Sequence, residues 1–191
     1  MTDTAEADDL TAEIERLRAE VEKLRARAEA AEAAADHDVL TPVLNRRGFV
    51  AAMRQAMALC QRHGTTAVLL YLDLDGFKSV NDQLGHAAGD AALVHVADML
   101  HLSVRESDSV GRLGGDEFGL LMLNASFADG KEKARKLSEQ LDQEPFFFEG
   151  ETTSLGGSFG VREWTGHTDP EVWLAEADAA MWIRKRAPRD A

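Results

Sequence analysis

A continuous apolar run at residues 67–72 ends directly in two acidic residues, Asp73 and Asp75. The run is short and rich in Leu, as expected of a strand that is buried on both faces. Because side chains alternate along a strand, Asp73 and Asp75 share one face, opposite that of Leu72. The sequence therefore predicts a buried strand whose carboxyl end presents oxygen ligands suited to a divalent cation such as Mg²⁺.

The segment after this strand does not have the pattern of an EF-hand calcium loop. Counted from Asp73, such a loop needs an oxygen ligand at its fifth position and Gly at its sixth, where the chain has Phe77 and Lys78. Lys78 instead falls in a predicted helix, where a cation near the N-terminus can hold a phosphate group. The alternative for Lys78 is a solvated surface charge.

A second acidic element is segment 112–118, Arg-Leu-Gly-Gly-Asp-Glu-Phe. Apolar, strand-like sequence on both sides predicts a β-hairpin with Gly114 and Gly115 at its tip. The two glycines remove side-chain bulk where the phosphates of a ligand could approach the backbone. Asp116 and Glu117 are therefore a candidate metal-holding pair. The alternative is a hairpin whose exposed acids only keep it soluble.

The rest of the chain has the element order of an α/β domain. We predict helices over residues 46–63 and 127–141, two helices that begin at Phe77 and at Gly89, and a last helix opened by Pro170. Strands are predicted over residues 67–73, on both sides of the hairpin, over 146–148 and within 152–164. This order predicts a mixed sheet flanked by helices.

Residues 10–35 carry an unbroken heptad repeat. Position a is taken by Ile14, Val21, Ala28 and Ala35, and position d by Leu10, Leu17, Leu24 and Ala31. This pattern favours a parallel dimer, and the g and e positions pair opposite charges, namely Glu13 with Arg18, Glu20 with Arg25 and Arg27 with Glu32. We predict a dimeric coiled-coil stalk over residues 1–36 and a folded domain over 37–191. The alternative for the stalk is a solvated single helix.

The chain of 191 residues has a net charge of −13 at pH 7. Its Lys and Arg residues form no cluster between the predicted elements, so a nucleic-acid polymer is not expected as a partner. The apolar runs are far shorter than a membrane span, and the N-terminus is acidic rather than basic like a signal peptide. Cys60 stands alone and is predicted to be a buried thiol. We therefore expect a cytoplasmic protein without a membrane partner.

Five blocks of the chain resemble the GGDEF-family diguanylate cyclases, in the order found in that family. The blocks are 38–47 (DVLTPVLNRR), 73–90 (ending in NDQLGHAAGD), 114–118 (GGDEF), 158–161 (SFGV) and 177–185 (ADAAMWIRK). The resemblance extends over residues 36–189. It implies a nucleotide-cyclase, palm-like fold with a five-stranded central mixed sheet flanked by helices.

The resemblance also implies an activity. Two GTP molecules, one per protomer, would be joined into cyclic di-GMP with loss of two pyrophosphates. Each site would supply half of a reaction in which one ribose 3′-hydroxyl attacks the α-phosphate of the other nucleotide. A homodimer would therefore be the catalytic unit, and residues 37–191 its catalytic domain.

The resemblance assigns a metal centre to four residues. Asp73, Asp116 and the backbone carbonyl of Leu74 would bind Mg²⁺, with Mn²⁺ as an alternative ion. Asp116 matches the position proposed as proton acceptor, and Glu117 would support the cluster. A metal ion lowers the pKa of a bound hydroxyl, so a carboxylate of ordinary basicity suffices as acceptor.

The resemblance assigns the phosphates to a second group of residues. Lys78 would neutralise charge on the leaving pyrophosphate, and the backbone amides of Gly76 and Phe77 would cradle the same group. Lys185 and Arg189 would contact the triphosphate from one face of the last helix. The alternative for these last two is a solvated basic C-terminus.

Asn81, His86 and Asp90 match the positions that contact guanine and substrate in the family. Guanine presents two donors on its Watson–Crick edge, which the carboxylate of Asp90 and the amide of Asn81 can satisfy, and adenine lacks that donor pair. The alternative is that Asn81 and Asp90 cap helices, with Asp90 near the start of the helix predicted from Gly89.

Arg105 and Asp108 form an Arg-x-x-Asp motif five residues before the two glycines. That spacing matches the family's inhibitory product site, where Arg105 would pair with guanine O6 and N7 and Asp108 would accept from the opposite edge. The alternative is an ion pair between the two side chains at the surface.

The chain departs from the family pattern at four positions. Pro42 replaces a common Gly, Phe159 a common Ile, Trp182 a common Tyr and Arg184 a common Ala. None of them removes a predicted ligand. The competing classes are a catalytically silent GGDEF domain that senses cyclic di-GMP, a coiled-coil scaffold and a mixed-dinucleotide cyclase.

Overall fold

The structure is a computed structural model that describes residues 16–18, 20–25 and 35–186. Contacts divide the chain into two units, Met1–Ala35 and Asp36–Ala191. In the first unit, residues 16–18 and 20–25 are helical. Most of the heptad repeat predicted for residues 10–35 lies outside the described residues, so the parallel coiled coil stays a prediction.

The second unit alternates strands and helices. Its elements are β1 Leu44–Asn45, α1 Arg46–His63, β2 Ala67–Asp75, α2 Phe77–Leu84, α3 His86–Leu102, β3 Ser109–Gly114, β4 Glu117–Leu123, α4 Phe127–Gln143, β5 Phe146–Phe148, β6 Glu151–Thr153, β7 Gly156–Glu163 and α5 Pro170–Arg186.

Five strands form the central sheet in the order β1-β3-β4-β2-β7, and β5 and β6 form a separate two-stranded sheet. β1 pairs with β3 in parallel, while all the other pairs in the central sheet are antiparallel. The predicted mixed sheet of five strands is therefore confirmed. β1 has only two residues, too few to produce an alternating pattern, and the sequence did not predict it.

Helices cover both faces of the sheet, and the alternation along β2 explains why. Val68, Leu70, Leu72 and Leu74 pack in the layer formed with α3 and α4. Leu69 and Tyr71 pack in the opposite layer, formed with α1 and α5, which also contains the buried thiol of Cys60. By the same alternation Asp73 and Asp75 extend along the α1 and α5 side, beyond the apolar core.

The helices match the predicted ones except at two boundaries. α4 ends at Gln143, two residues after the predicted end at residue 141. α3 begins at His86, three residues before the predicted start at Gly89. Gly85, with φ 84°, ends α2 by donating its amide to the Asn81 carbonyl and is also the N-cap residue of α3. A single residue thus separates two helices, and no Ser, Thr or Asp marks the boundary. No helix in the described ranges is both long and apolar enough to cross a bilayer.

Candidate active site

Two carboxylate-bearing segments meet at the end of β2. The backbone amide of Leu74 donates a hydrogen bond of 3.2 Å to the carbonyl oxygen of Asp116, in the turn between β3 and β4. In the adjacent position of the antiparallel ladder, Asp73 of β2 lies opposite Glu117, the first residue of β4. The structure therefore brings together the four residues that the sequence analysis assigned to a metal centre.

The groups that could bind a metal ion at this end of the sheet, which we call the acidic edge, all offer oxygen atoms. Asp73, Asp116 and Glu117 are each partly exposed, so an ion could reach them from solvent. Within the described ranges, no three acidic, His or Cys side chains are grouped so that they could hold a metal ion. Mg²⁺ is commonly bound by one or two carboxylates together with substrate phosphates. The donor set therefore fits a cation that arrives with phosphate ligands rather than one held in a closed protein cage.

Lys185, in the last turn of α5, reaches the same edge. Its ammonium group forms ion pairs with Asp73 and, at 3.2 Å, with one oxygen of Asp75. The other oxygen of Asp75 accepts a hydrogen bond of 2.8 Å from the hydroxyl of Ser158 on β7. We predicted Lys185 to contact the triphosphate, whereas here its ammonium group neutralises the carboxylates themselves.

The charge of Lys185 is set by two opposing effects. Burial by itself lowers the pKa of Lys185, but its bonds to Asp73 and Asp75 outweigh burial and raise the pKa above the ordinary value. The side chain is therefore fully charged at neutral pH. Since an ammonium group and a divalent cation are attracted by the same carboxylates, Lys185 would compete with a cation that approached them.

The hairpin turn is held by Arg112. Its guanidinium group donates two hydrogen bonds to the carbonyl of Gly115, at 3.0 and 2.8 Å, and one of 3.2 Å to Asp38. Asp38 also accepts hydrogen bonds from the amide and hydroxyl of Thr41. Burial alone would raise the pKa of Asp38, but these bonds from Thr41 and Arg112 lower it. A charged, partly buried pair thus ties the hairpin to the start of the domain.

The predicted phosphate-binding segment is the turn from β2 into α2. Gly76 has φ 82°, a left-handed conformation that a side chain disfavours, and it is the N-cap residue of α2. Phe77 and Lys78 are the first two residues of this helix, so Lys78 lies in its first turn. Lys78 is exposed. The free amides and the lysine at this helix start are groups that attract anions.

The predicted guanine-contacting residues lie at the junction of α2 and α3. Nδ1 of His86 is 3.3 Å from the side-chain oxygen of Asn81. Asp90 lies one turn after His86 on α3 and is exposed. Asn81 and Asp90 are the fifth residues of their helices, and the N-cap residues are Gly76 and Gly85. The N-capping alternative for Asn81 and Asp90 is therefore wrong.

The Arg-x-x-Asp motif forms a turn before β3. Asp108 accepts hydrogen bonds of 3.2 Å from the backbone amides of Arg105 and Leu123. Its carboxylate therefore holds the turn, while the side chain of Arg105 is exposed and forms no ion pair with Asp108 in the described structure. The surface ion pair considered for this motif is thus absent. Both residues line a cleft of about 430 Å³, together with His37, Pro42 and His101.

One predicted site residue is not described by the structure, and several residues that were not predicted make contacts near the site. Arg189 lies outside the described residues, the last of which is Arg186. The structure adds contacts that were not predicted, made by Asp75, Arg112 and Ser158. Alternation along β2 placed Asp75 beside Asp73, and it also places Tyr71 on that face. No sequence pattern indicated that Ser158 or Lys185 would contact Asp75.

Sequence comparisons identify a family model and curated relatives that are similar to this chain. The family described as diguanylate cyclase, GGDEF domain, matches residues 35–191. Diguanylate cyclase TpbB of Pseudomonas aeruginosa is 39% identical over 157 residues, which are 81% of this chain and 36% of the relative. Diguanylate cyclase DosC of Escherichia coli is 36% identical over 154 residues, 80% of this chain and 34% of the relative. The chain thus spans about a third of the length of these curated relatives.

Solved structures agree with the sequence comparison. The coiled coil and GGDEF domain of DgcB from Caulobacter crescentus, in complex with c-di-GMP, has a TM-score of 0.82 at 27% identity and covers 94% of this chain and 96% of its own. Diguanylate cyclase SiaD from Pseudomonas aeruginosa, in complex with its activator SiaC, has a TM-score of 0.77 at 30% identity and covers 99% and 75%. The chain belongs to the diguanylate cyclase, GGDEF domain family.

Proposed function

We propose that the chain is a diguanylate cyclase that condenses two GTP into cyclic di-GMP and two pyrophosphates across a homodimer. The observation that carries the proposal is the junction of Leu74 with Asp116, because it unites acidic residues of two separate segments at one sheet edge. Family membership supports the same activity. Since the chain spans only part of its relatives, the proposal concerns the domain described here.

Asp73, Asp116 and the carbonyl of Leu74 are the proposed ligands of Mg²⁺ or Mn²⁺, with Glu117 in support. A bound divalent cation would neutralise phosphate charge and acidify the attacking hydroxyl. Asp116 would accept the proton of the ribose 3′-hydroxyl while the oxygen of that hydroxyl forms a bond to the α-phosphate of the second nucleotide. The bond from that phosphate to pyrophosphate breaks, and a second transfer of the same kind closes the ring.

Positive charge and backbone amides would hold the phosphates. The start of α2 offers the amides of Gly76 and Phe77 and the exposed ammonium of Lys78. Lys185 already neutralises Asp73 and Asp75. Lys185 would release these carboxylates when they hold a divalent cation and would then contact the triphosphate. Arg189 would contribute a second positive charge near the phosphates.

Guanine would bind at the junction of α2 and α3. Asn81 and Asp90 are not used as N-caps, and the carboxylate of Asp90 is exposed and able to accept from the N1 and N2 donors of guanine. His86, next to Asn81, completes the contact surface. A pocket that pairs with these two donors disfavours adenine, which lacks them.

The homodimer would form through the predicted stalk. Leu17, Val21 and Leu24 lie at a and d positions of the heptad repeat and are exposed in the single chain. In a Cys60→Ser background, Ala28→Cys at position a should form an intermolecular disulfide readily. Ala33→Cys, at the outward position f, is the matched control and should form it poorly. If both variants form the disulfide equally well, or if neither forms it, the proposed dimer interface is contradicted.

Product feedback at Arg105 and Asp108 is part of the proposal. The exposed guanidinium of Arg105 opens onto a cleft, which supports binding of a guanine base there. The same cleft supports a second candidate function, a catalytically silent domain that senses cyclic di-GMP through these two residues. The acidic edge around Asp73 and Asp116 favours the enzyme over the sensor.

Chromatography of the products formed from GTP and Mg²⁺ separates the two functions. The enzyme proposal predicts cyclic di-GMP from the dimeric wild type and none from Asp116→Asn, which should still bind added cyclic di-GMP. A dimeric wild type that binds cyclic di-GMP but forms none from GTP supports the sensor instead. A sample that neither forms nor binds cyclic di-GMP contradicts both functions.

A further inference from the structure

β7 is an edge strand of the central sheet. It pairs with β2 on one side, and no described strand lies on its other side. The amide of Trp164, directly after β7, donates to the carbonyl of Ala67 at the start of β2, so the backbone of Trp164 faces β2. Because backbone groups alternate in direction along a strand, those of Val161 and Glu163 point away from β2. This outer side of β7 therefore offers main-chain donors and acceptors to another chain.

The two ends of this outer side differ in how their carbonyls are used. The carbonyl of Gly157 accepts a hydrogen bond of 3.2 Å from the hydroxyl of Ser138 on α4. The carbonyl of Val161 accepts a longer bond, of 3.5 Å, from the guanidinium group of Arg162. A hydrogen bond of that length is weak. α4 thus closes the beginning of the strand edge, whereas the end near Val161 can take a better donor.

A cleft of about 340 Å³ lies at this open end, between α4 and α5. Its volume falls within the range of ligand pockets. The residues that shape it are Val161 and Arg162 of β7, Phe127 and Lys131 of α4, and Ile183 and Arg184 of α5. Phe127 is 39% exposed and Ile183 is 69% exposed. The two helices therefore present apolar surface to solvent on both sides of the strand edge.

The charged groups that line this cleft, Lys131, Arg162 and Arg184, are all positive. The ion pairs in the described part of the chain are formed by other cations. Because the whole chain has a net charge of −13, three such cations around one cleft reverse the sign of the charge locally. An acidic ligand is attracted here, whereas two copies of this strand edge would repel each other.

We infer that this cleft binds an extended acidic peptide of a partner protein. The peptide adds a strand to β7 and pairs with the outward backbone groups of Val161. One apolar side chain of the peptide packs against Phe127 and Ile183, and acidic residues beside it pair with the cations of the cleft. In such complexes the main-chain hydrogen bonds supply affinity and the side chains supply selectivity. The inference goes beyond the proposed function, which uses none of these residues.

The probe for this binding is a fluorescein-labelled peptide in which a Leu is flanked on each side by two Glu. Its fluorescence anisotropy should show saturable binding to the wild type. Lys131→Gln combined with Arg184→Gln should weaken binding about 10-fold, because two ion pairs are lost. The control combines Arg54→Gln with Arg62→Gln, which removes the same charge at two exposed positions of α1 outside the cleft. The control should bind the peptide like the wild type.

Nuclear magnetic resonance of the ¹⁵N-labelled chain tests the strand pairing itself. The amide proton of Val161 should move downfield when the peptide is added, because it gains a hydrogen-bond acceptor. Leu70 lies opposite Val161 on β2, and its amide points into the sheet, toward β4. The amide proton of Leu70 should therefore hardly move.

Three results would overturn the inference. The first is the absence of binding to the wild type at about 1 mM peptide. The second is equal weakening by both pairs of substitutions, which would mean that the peptide responds only to net charge. The third is an amide proton of Val161 that does not move at saturation. A wild type that ignores the peptide but sediments with phosphatidylserine vesicles would assign the cations to a lipid surface instead.

Discussion

Leu74 and Asp116 are joined by a backbone hydrogen bond of 3.2 Å, which fixes the end of β2 to the turn of the β3–β4 hairpin. The register of this junction sets which side chains face one another, since a slip of one residue would turn Asp73 and Glu117 to opposite faces. The β3–β4 ladder shifts register between Arg112 and Gly114, next to this turn. The geometry of the acidic edge is therefore a property of the backbone as well as of the side chains.

Replacing Lys185 by Gln should strengthen the binding of a cation and weaken the binding of the nucleotide. Without the ammonium group, Asp73 and Asp75 lose a competitor, so Mn²⁺ should bind severalfold more tightly in the absence of nucleotide. The KM for GTP should rise severalfold, because a positive charge near the phosphates is lost. Calorimetric titration with Mn²⁺ and initial rates with GTP measure the two effects.

Arg184→Gln is the matched control for Lys185→Gln. It removes the same charge one residue earlier, about 100° around the helix, on the side that lines a separate cleft with Phe127 and Lys131. Mn²⁺ affinity should not change in this control. Weaker Mn²⁺ binding in Lys185→Gln would show that the lysine supports the cation rather than competing with it.

Asp90→Ala should reduce the preference for guanine. The lost acceptor would weaken binding of a GTP analogue by about 10–100-fold, as expected for hydrogen bonds to a charged group. Inosine triphosphate lacks the 2-amino group, so its affinity should fall less and the two nucleotides should become nearly equivalent. Asp98→Ala, an exposed acid later on α3, is the control. If Asp90→Ala still discriminates between the two nucleotides as the wild type does, the guanine base binds at another site.

Arg105→Ala and Asp108→Ala should weaken cyclic di-GMP binding for different reasons. Arg105 has an exposed side chain, so its loss should leave the free energy of unfolding unchanged. Asp108 accepts from the amides of Arg105 and Leu123, so its loss should also destabilise the fold by about 1–2 kcal/mol. Calorimetry and urea unfolding measure the two quantities. Equal stability of both variants would mean that the Asp108 carboxylate does not hold the turn.

Asp38→Ala should lower the free energy of unfolding by about 2 kcal/mol at pH 7, because it breaks partly buried bonds to Thr41 and Arg112. The pKa of Asp38 is lowered in the folded chain. Its contribution is therefore present above the unfolded pKa of about 3.9 and is lost as the pH falls through the lower folded pKa. Urea unfolding from pH 7 to pH 3 should show the two proteins converging.

Glu171→Ala is the control for this pH dependence. Glu171 forms an ion pair with Arg46 in which both side chains are half exposed, so its removal should cost less than about 1 kcal/mol. A constant difference between wild type and Asp38→Ala down to pH 3 would assign the effect to packing rather than to charge.

The sequence predicted the parts of the fold that depend on local pattern. The alternation in residues 67–75 placed Asp73 and Asp75 on one face, and the structure agrees because both faces of β2 are packed by helices. The hairpin was predicted from two glycines between strand-like segments, and β3 and β4 form it. Its turn is at Gly115 and Asp116, one residue later than the predicted tip, because Gly114 still belongs to β3. Such features depend only on residues that are close to one another in the sequence.

Contacts between distant segments could not be predicted in this way. Lys185 reaches Asp73 and Asp75 because α5 packs against β7 and β2 on the same face of the sheet, and nothing near Lys185 in the sequence indicates that approach. Asp108 was paired with Arg105 by motif, yet its carboxylate also binds the amide of Leu123 on β4. The start of α3 was misplaced because one glycine serves both as the end of α2 and as the start of α3.

We propose that Asp73 and Asp116 share a cation with the phosphates of a nucleotide. Crystals grown with Mn²⁺ and a non-hydrolysable GTP analogue allow the ion to be located by its anomalous scattering. We predict an anomalous peak about 2.1 Å from a carboxylate oxygen of each aspartate and from a phosphate oxygen. A peak coordinated by phosphates alone, with Lys185 still paired to Asp73, would contradict the claim.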